Sequence, residues 1–333
     1  QKYIQDNYGS ENEKFKQNFE TLLQTSAISD TQKIIILPVD QGFEHGPHKS
    51  FMKNPKGFDP WYHYNLASHQ YINGFAAPMG MLESTNSLSK ICKKISFEEQ
   101  CKYNTCINTE HDQKIKYVPT ILKLNSNNYF YSSDKSSEPD QCFTASTEDA
   151  VRLGCIGIGI TIYPGSKNFN KMAEKAAKEI REAKKHGLVV IIWAYPRGAL
   201  LNNSNNDIDS KRAQNTVDVT AYAAHIACLM GAHIVKVKLP SELQQTYWKE
   251  NQDIASCEGM VEAVKKIKES CFDGRRMVIF SGGSYNNDQD LIDLAKAIKE
   301  GGGDGLIIGR NLFQRTLEDA NQLINDIAAT FQN

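Results

Sequence analysis

Short apolar segments rich in β-branched residues recur along the chain, and each one is bounded by turn or capping residues. They span residues 33–40, 74–79, 118–125, 156–163, 188–195, 233–239, 276–281 and 305–309. Segments that are apolar on both faces are typical of strands in a parallel sheet whose two faces are covered. The pattern therefore predicts eight buried parallel strands.

Helical periodicity occupies the sequence between several of these strands, most clearly at residues 171–186, 217–230, 259–270 and 288–300. Gly187 is placed to end the first of these helices just before the fifth strand. Repeated strand–helix units predict an α/β fold, a closed (β/α)8 TIM barrel. A doubly wound open sheet is the alternative, but no GxGxxG follows any predicted strand.

Three parts of the chain fall outside the repeating unit. Residues 1–30 predict an N-terminal helical extension, which leaves residues 31–333 as a single barrel. Residues 85–117 are polar and lysine-rich and are interpreted as an insertion after the second strand. Polar loops at 125–140 and 201–210 follow strands, so they belong to the face where barrel enzymes carry their substrate loops.

Charge and composition exclude several classes of function. The 333 residues carry 38 basic and 39 acidic side chains, so nothing in the net charge of −1 favours nucleic acid as a partner. No apolar run approaches the ~20 residues that span a bilayer, and the polar N-terminus lacks a signal-peptide core. The eight cysteines contain no CxxC pair, which disfavours a zinc or disulfide framework. We therefore expect a cytoplasmic protein without membrane or nucleic-acid partners.

The sixth predicted strand carries two lysines, Lys236 and Lys238, in an otherwise apolar sequence. With a period of two, both point to one face of the strand, which Ile234 shares. Desolvation lowers the pKa of an amine, and a neutral amine condenses with carbonyl groups. The strand therefore indicates a Schiff-base site, although both lysines could instead pair with carboxylates. Periodicity does not say which lysine would react.

Two glycine-containing loops follow the seventh and eighth predicted strands. They read Ser281-Gly282-Gly283 and Gly309-Arg310. Loops at these two places match the recurrent phosphate site of barrels, where backbone N–H groups face the anion. The glycines could also serve only as turn residues.

Other reactive side chains follow strands at the same end of the barrel. Asp40 follows the first strand, while Trp193, Tyr195 and Arg197 lie at or after the end of the fifth. Each has a purely structural alternative: a helix cap for the acid, rim packing for the aromatic rings and a rim ion pair for the arginine. Their convergence from different strands favours an active site.

Metal-dependent chemistry is the main competing interpretation. His45 and His48 form an HxxH pair in the loop after the first strand, whereas His186 and His233 lie at the opposite end of the barrel. A catalytic zinc needs three protein ligands at one place. We therefore expect neither a metal nor another cofactor.

Five stretches carry a resemblance to a known family. They are residues 36–47 (ILPVDQGFEHGP), 161–166 (TIYPGS), 193–198 (WAYPRG), 231–238 (GAHIVKVK) and 309–311 (GRN). In this order they resemble the class I fructose-bisphosphate aldolases of the archaeal and bacterial type, in a longer, bacterial-style chain. The resemblance implies a (β/α)8 barrel that needs no metal. It also implies reversible cleavage of fructose 1,6-bisphosphate into dihydroxyacetone phosphate and glyceraldehyde 3-phosphate.

The same resemblance implies a role for each candidate residue. Lys236 would form the imine, Tyr195 would be the general acid/base with Trp193 beside it, and Asp40 would assist the imine chemistry. The phosphate nearest the imine would be held by Ser281, Gly282, Gly283, Gly309 and Arg310, and the second phosphate by His45 and Arg197. We expect cations such as Lys238 or Arg197 to lower the pKa of Tyr195 toward the working range.

The chain departs from shorter archaeal members at Gln41, where they carry histidine, and in segments 85–117 and 200–210. Relatives of similar pattern make other carbon–carbon bonds, including an aromatic-precursor synthase, so another Schiff-base lyase or synthase is an alternative. A non-catalytic sugar-phosphate-binding barrel is an alternative of a different class. We expect a sugar phosphate as the substrate and a homo-oligomer as the assembly.

Overall fold

Eight parallel strands close into a barrel in the order β1-β8-β7-β6-β5-β4-β3-β2. This computed structural model describes residues 2–94, 107–108, 114–133, 137–202, 210–248, 256–283 and 287–333. The barrel strands are β1 Ile34–Pro38, β2 Gly74–Ala77, β3 Thr120–Lys123, β4 Gly157–Ile162, β5 Val189–Ala194, β6 Ile234–Lys238, β7 Met277–Ser281 and β8 Gly305–Ile307. Each strand lies inside its predicted segment, and the predicted TIM barrel is confirmed.

Helices surround the barrel strands. They are α1 Lys2–Tyr8, α2 Glu13–Gln24, α3 Gln41–His45, α4 Pro47–Phe51, α5 Pro60–Ala67, α6 Met79–Lys94, α7 Tyr129–Ser133, α8 Thr147–Leu153, α9 Phe169–Lys185, α10 Ser210–Ala213, α11 Val217–Leu229, α12 Met260–Ser270, α13 Asp288–Glu300, α14 Arg310–Phe313 and α15 Leu317–Gln332. Two short antiparallel pairs join Ile107–Asn108 to Lys114–Ile115 and Asn125–Ser126 to Cys142–Phe143. No helix in these described ranges is both long and apolar enough to cross a membrane.

Alternation along the strands produces two apolar layers. One layer packs the outward-facing strand residues against the surrounding helices. The other fills the barrel interior with side chains such as Ile36, Ile191 and Ile279, and it continues into Phe15 and Phe19 of α2. Because successive strand residues point to opposite sides of the sheet, each strand contributes side chains to both layers.

The first two helices cover the N-terminal end of the barrel. The Tyr8 hydroxyl donates to the carbonyl of His233 at 2.7 Å, and the Asn18 amide donates to the carbonyl of Gly187 at 2.8 Å. Both acceptors lie just before strands, so α1 and α2 close this end and leave the opposite end for ligands.

The division of the chain at residue 30 stays a prediction. Most of the predicted insertion at 85–117 lies outside the described residues.

A partly buried charged cluster attaches this cover to the barrel. Glu11 contacts Lys184 and lies 3.0 Å from Nε2 of His233, whose Nδ1 accepts from the Val190 N–H at 2.9 Å. Burial lowers the pKa of His233 to about 4, although its hydrogen bond to Glu11 acts against this. Burial alone would raise the pKa of Glu11, but hydrogen bonds from His233 and Lys184 lower it to about 2.

We expect the free energy of unfolding to fall as the solution is acidified. The unfolded His233 takes up a proton below its ordinary pKa of 6.5, whereas the folded residue does so only near 4. Glu11 adds a second loss between its ordinary pKa of 4.5 and about 2. Urea unfolding across this range measures the effect. Glu11→Gln should flatten the slope below pH 4.5, while Glu13→Gln, at an exposed position, should not. Equal slopes in both variants would contradict the assignment.

Candidate active site

A cavity of about 200 Å³ opens at the C-terminal end of the barrel. Every residue that the sequence analysis proposed for the site lines this cavity, namely Asp40, His45, Trp193, Tyr195, Arg197, Lys236, Ser281, Gly282, Gly283, Gly309 and Arg310. Its wall also includes Gln41, Glu44, Thr161 and Lys238. Residues from strands far apart in sequence meet here because parallel strands end at one face of the barrel.

Lys236 is buried in the barrel interior with 4% of its surface exposed. It pairs in register with Trp193 on β5, and its Nζ lies 4.9 Å from the centroid of the Trp193 ring and 5.6 Å from that of Tyr195. Burial lowers the pKa of Lys236 to about 8, against the opposing effect of the Asp40 and Glu44 carboxylates. An amine with this pKa has a neutral, nucleophilic fraction near neutral pH.

Lys238 occupies a different environment although it points to the same side of β6. Its side chain is exposed at the barrel mouth, and its Nζ lies 3.5 Å from Oδ1 of Asn215. Lys236 is thus the lysine whose amine is desolvated inside the cavity. Burial of the amine separates two residues that strand periodicity left equivalent.

A second buried lysine was missed by the sequence analysis. Lys123, at the end of β3, is 1% exposed, and its Nζ donates to the main-chain carbonyl of Asn125 and to its Oδ1, the latter at 2.9 Å. Burial lowers its pKa to about 8, and the nearby Asp40 and Glu44 oppose this effect. The available signal was the same as for Lys236: a lysine inside an apolar strand.

Gly159 on β4 makes room for the tryptophan that lies near both buried amines. A Cβ at this position would lie 2.4 Å from the Trp193 ring and 3.4 Å from Cδ of Lys123. Any larger residue here would displace the indole. The glycine therefore allows the Trp193 ring to lie near both Lys123 and Lys236, with Nζ of Lys123 5.7 Å from its centroid.

Two carboxylates come from the segment that follows β1. Asp40 is 8% exposed and precedes α3, but its side chain makes no helix-capping hydrogen bond within the described chain. Glu44, which the sequence analysis also missed, accepts from the Gln141 amide at 3.3 Å. Burial and then Asp40 raise the pKa of Glu44, while Lys123 and Arg197 act to lower it. The two buried lysines and these two acids thus lie close enough to influence one another's charge.

Tyr195 follows β5 directly, and its N–H donates to the carbonyl of Ile162 at 3.1 Å. Burial raises the pKa of its phenol well above the ordinary value, even though Arg197 acts to lower it. The expectation that neighbouring cations would bring this pKa down is therefore wrong, because desolvation of the phenolate outweighs their attraction. At neutral pH the side chain is a phenol that can donate its proton.

One side chain ties the two glycine loops together. The Asn311 amide donates to the carbonyls of Gly282 and Gly283 at 3.1 and 3.2 Å. Gly309 passes so close to β1 that a Cβ would lie 2.7 Å from the carbonyl oxygen of Pro38. The close approach explains the glycine there, and the amide bridge fixes the spacing of the two loops.

The loops differ in the backbone donors that they offer. The N–H of Gly282 donates to the carbonyl of Ile307 at 3.2 Å and is therefore not available to a phosphate. Within the described part of the chain, the N–H groups of Gly283, Gly309 and Arg310 donate to no other residue. These three groups can face an anion in the cavity.

Two arginines border the cavity without a carboxylate partner among the described residues. Among the described residues, neither Arg310 nor Arg197 forms an ion pair. Burial and then the charge of Arg310 lower the pKa of His45, which lines the cavity near both arginines. Unpaired guanidinium groups at a cavity rim favour anionic ligands such as phosphates.

Two buried polar atoms at the site also lack partners in the described structure. They are Nε1 of Trp193 and Oε1 of Gln41. Buried polar groups are almost always hydrogen-bonded in folded proteins, so these two atoms are exceptions within the described residues.

The histidines in the described part of the chain do not gather into a ligand set. His48 packs edge-on against Phe58 at 6.5 Å, and His233 belongs to the opposite end of the barrel, beside Glu11. Within the described ranges, no three or more His, Cys, Asp or Glu side chains are grouped to hold a metal ion.

Comparison with known proteins identifies the family. Residues 34–315 match the model of the DeoC/LacD family aldolases. The chain is 32% identical over 284 residues to the fructose-bisphosphate aldolase class 1 of Thermoproteus tenax, covering 85% of this chain and 84% of that protein. It is 30% identical over 301 residues to the probable fructose-bisphosphate aldolase class 1 of Chlamydia muridarum, covering 87% and 76%.

A solved structure agrees with the sequence relatives. An archaeal fructose-1,6-bisphosphate aldolase, with its catalytic lysine covalently bound to the carbinolamine intermediate of the substrate, superposes with a TM-score of 0.68 at 28% identity. The match covers 95% of this chain and 100% of that one. The resemblance read from the sequence is thus confirmed, and the chain belongs to the DeoC/LacD aldolase family, alongside the class 1 fructose-bisphosphate aldolases.

Proposed function

We propose that this protein is a Schiff-base aldolase that reversibly cleaves fructose 1,6-bisphosphate into dihydroxyacetone phosphate and glyceraldehyde 3-phosphate. The observation that carries the proposal is the placement of Lys236. Its amine is buried beside a phenol and two carboxylates, in one cavity with cationic groups at its rim. The related class 1 aldolases support the same chemistry.

Imine formation begins with the neutral amine of Lys236. With a pKa of about 8, roughly a tenth of this lysine is neutral at pH 7. The amine attacks the C2 carbonyl of the ketose to give a carbinolamine. The Tyr195 phenol then protonates the hydroxyl, which leaves as water, and an iminium ion and a phenolate remain. The buried phenolate forms only beside this new cation, with Arg197 5.0 Å from its ring.

Cleavage uses the iminium ion as an electron sink. The Tyr195 phenolate takes the proton of the C4 hydroxyl as the C3–C4 bond breaks, and the electron pair moves into the iminium to form an enamine. The aldehyde half then leaves. Protonation of the enamine at C3 by Tyr195, followed by hydrolysis of the imine, releases dihydroxyacetone phosphate and restores Lys236. Proton transfer by one positioned group contributes ~10²–10⁴-fold to such a reaction.

The remaining buried residues stabilise charge and position the sugar. The Asp40 and Glu44 carboxylates face the cation that develops on Lys236. Trp193 and Gln41 line the cavity that holds the sugar. Preorganised charges in a desolvated site act more strongly than they would in water.

The phosphate groups of the substrate go to the two cationic sides of the cavity. Ser281, with the N–H groups of Gly283, Gly309 and Arg310, holds the phosphate nearest the imine, and Gly282 lets its loop approach closely. His45 and Arg197 face the second phosphate. By the same proposal, the enzyme serves glycolysis or gluconeogenesis in the cytoplasm. It assembles as a homo-oligomer. Each chain has a helical extension at residues 1–30 and a barrel from 31 to 333.

The function is tested by assaying cleavage of fructose 1,6-bisphosphate with coupling enzymes that consume each triose phosphate. We expect turnover, and we expect it to survive dialysis against excess EDTA, because the proposed electron sink is an imine rather than a metal. A zinc-dependent aldolase treated in parallel should lose its activity. Loss of turnover on chelation, with recovery on adding Zn²⁺, would favour a metal mechanism instead.

A further inference from the structure

Formation of the carbinolamine includes a proton transfer that the residues discussed so far do not carry out. When the neutral amine of Lys236 adds to the C2 carbonyl, the nitrogen becomes cationic and the oxygen becomes an alkoxide. The neutral carbinolamine forms only after a proton has left this nitrogen and a proton has reached this oxygen. A positioned base that accepts the first proton and then donates it speeds such a step. This base must lie in the cavity that holds the amine.

The Tyr195 phenol is not suited to this first transfer. Burial raises its pKa well above the ordinary value, so the side chain is already protonated when the amine attacks. A protonated group can donate a proton but cannot first accept one. Tyr195 therefore serves the later loss of water, and the first transfer needs a group that starts as a base.

The Glu44 carboxylate has the geometry of such a group. It lines the same cavity of about 200 Å³ as Lys236. Its Oε1 accepts from Nε2 of Gln141 at 3.3 Å, whereas its Oε2 accepts no hydrogen bond from the described residues. One oxygen thus holds the carboxylate in place, and the other can exchange a proton with a bound molecule.

Gln141 is itself fixed, so it can position Glu44. It is 4% exposed, and its Nε2 also donates to the Tyr163 hydroxyl at 2.8 Å. Two residues earlier, the carbonyl of Pro139 accepts from Oγ of Ser166 at 2.6 Å. The end of this loop is therefore attached to the segment that follows β4, and the amide is held facing the carboxylate.

The charges around Glu44 favour proton exchange. Burial and then the neighbouring Asp40 raise the pKa of Glu44, which increases its affinity for a proton. The fixed cation of Lys123 acts in the opposite direction and favours the carboxylate form. Glu44 in turn influences the pKa of Lys236, so the two groups lie within electrostatic range of each other. A carboxyl group in these surroundings is typical of a general acid/base.

We propose that Glu44 is a further catalytic residue, which carries a proton from nitrogen to oxygen as the carbinolamine forms, and that Gln141 positions it. The carboxylate accepts the proton as the N–H bond of the Lys236 adduct breaks. The resulting acid gives this proton to the alkoxide, which restores the carboxylate. Hydrolysis of the imine uses the same transfer in reverse. The inference rests on the proposed aldolase function and adds a residue to it.

The test measures imine formation separately from carbon–carbon cleavage. Protein and dihydroxyacetone phosphate are mixed rapidly and treated with borohydride at set times, and the label on Lys236 is quantified by mass spectrometry. In Glu44→Ala we expect the label to form ~10²–10⁴-fold more slowly. Acetate should restore part of the rate, and acetamide, which has a similar size but no basic oxygen, should not. Acetate should also act better than the less basic fluoroacetate, because a proton carrier depends on basicity and a mere counterion does not.

Further variants separate this role from a structural one. Glu44→Gln should be as slow as Glu44→Ala but gain nothing from acetate, because its amide fills the space. Gln141→Leu should slow labelling about tenfold, the effect of one hydrogen bond to a charged group. Tyr163→Phe keeps the contact between Gln141 and Glu44 and should cause a smaller loss. Tyr195→Phe, which retains Glu44, should not respond to acetate. Glu148→Ala, at an exposed position on α8, is the matched control for loss of a carboxylate.

Thermal unfolding of each variant shows whether it is folded. A wild-type labelling rate in Glu44→Ala, a rescue that does not depend on basicity, or no rescue at all would each overturn the role of Glu44. Failure of the aldolase proposal looks different. In that case the wild-type protein would form no borohydride-trapped adduct with dihydroxyacetone phosphate.

Discussion

Borohydride reduction in the presence of dihydroxyacetone phosphate is expected to inactivate the protein and to attach the reduced triose to Lys236. Lys236 combines a cavity-facing amine with a pKa of about 8. Lys123 has a similar pKa, but its amine donates twice to Asn125 and does not line the described cavity. Lys238 lines it at the exposed rim. Peptide mass mapping identifies the modified residue.

The variant Lys236→Met should abolish both labelling and cleavage. Loss of a covalent nucleophile removes the electron sink itself, so we expect a loss of roughly 10⁴- to 10⁶-fold in kcat. Lys238→Met is the matched control, since it removes a lysine from the same strand and should still be labelled. Label on Lys238 in the wild-type protein, or on no lysine, would refute the assignment of Lys236.

Replacing Tyr195 by phenylalanine is expected to lower kcat by ~10²–10⁴-fold, the usual effect of losing one positioned acid/base. The neutral amine of Lys236 needs no phenol to attack a carbonyl, so slow trapping with borohydride should remain. Steady-state cleavage and the rate of trapping, measured on the same preparation, separate the two steps. The phenylalanine ring of the variant can still pack against Arg197, because only the phenolic hydroxyl is removed.

The neighbouring phenol provides the control for this variant. Tyr163 is also buried, lies close to Arg197 and accepts from the Gln141 amide at 2.8 Å. It does not line the cavity described here, so Tyr163→Phe should cause a much smaller loss. Wild-type kcat in Tyr195→Phe would show that another group carries the proton, and Glu44 would then be the first candidate.

The pKa of Tyr195 illustrates the limit of reading electrostatics from sequence. Arg197 follows it by two residues, which indicates a cation nearby but not how much water surrounds the phenol. Burial in the barrel mouth dominates and keeps the phenol protonated. The phenolate therefore appears only when the iminium ion forms next to it, so the proton moves together with the imine chemistry.

The pattern of apolar segments by itself determined the eight strands, their parallel arrangement and the end of the barrel that carries the site, because the alternation of β and α segments permits few topologies. The motifs around Asp40, Trp193, Lys236 and Arg310 also sufficed to identify the family. These features depend on local periodicity and residue order, which a sequence displays directly.

Only the tertiary structure decided which lysine is desolvated, brought Lys123 and Glu44 into the site, and set the direction of the Tyr195 pKa shift. It also showed that the Gly282 N–H is already bonded to Ile307 and that Arg197 and Lys238 share a second cavity. The physical reason is that the burial of a side chain and the electrostatic effect of nearby charges both depend on neighbours from different strands. Residues far apart in sequence contribute most of those neighbours, so strand periodicity alone cannot supply them.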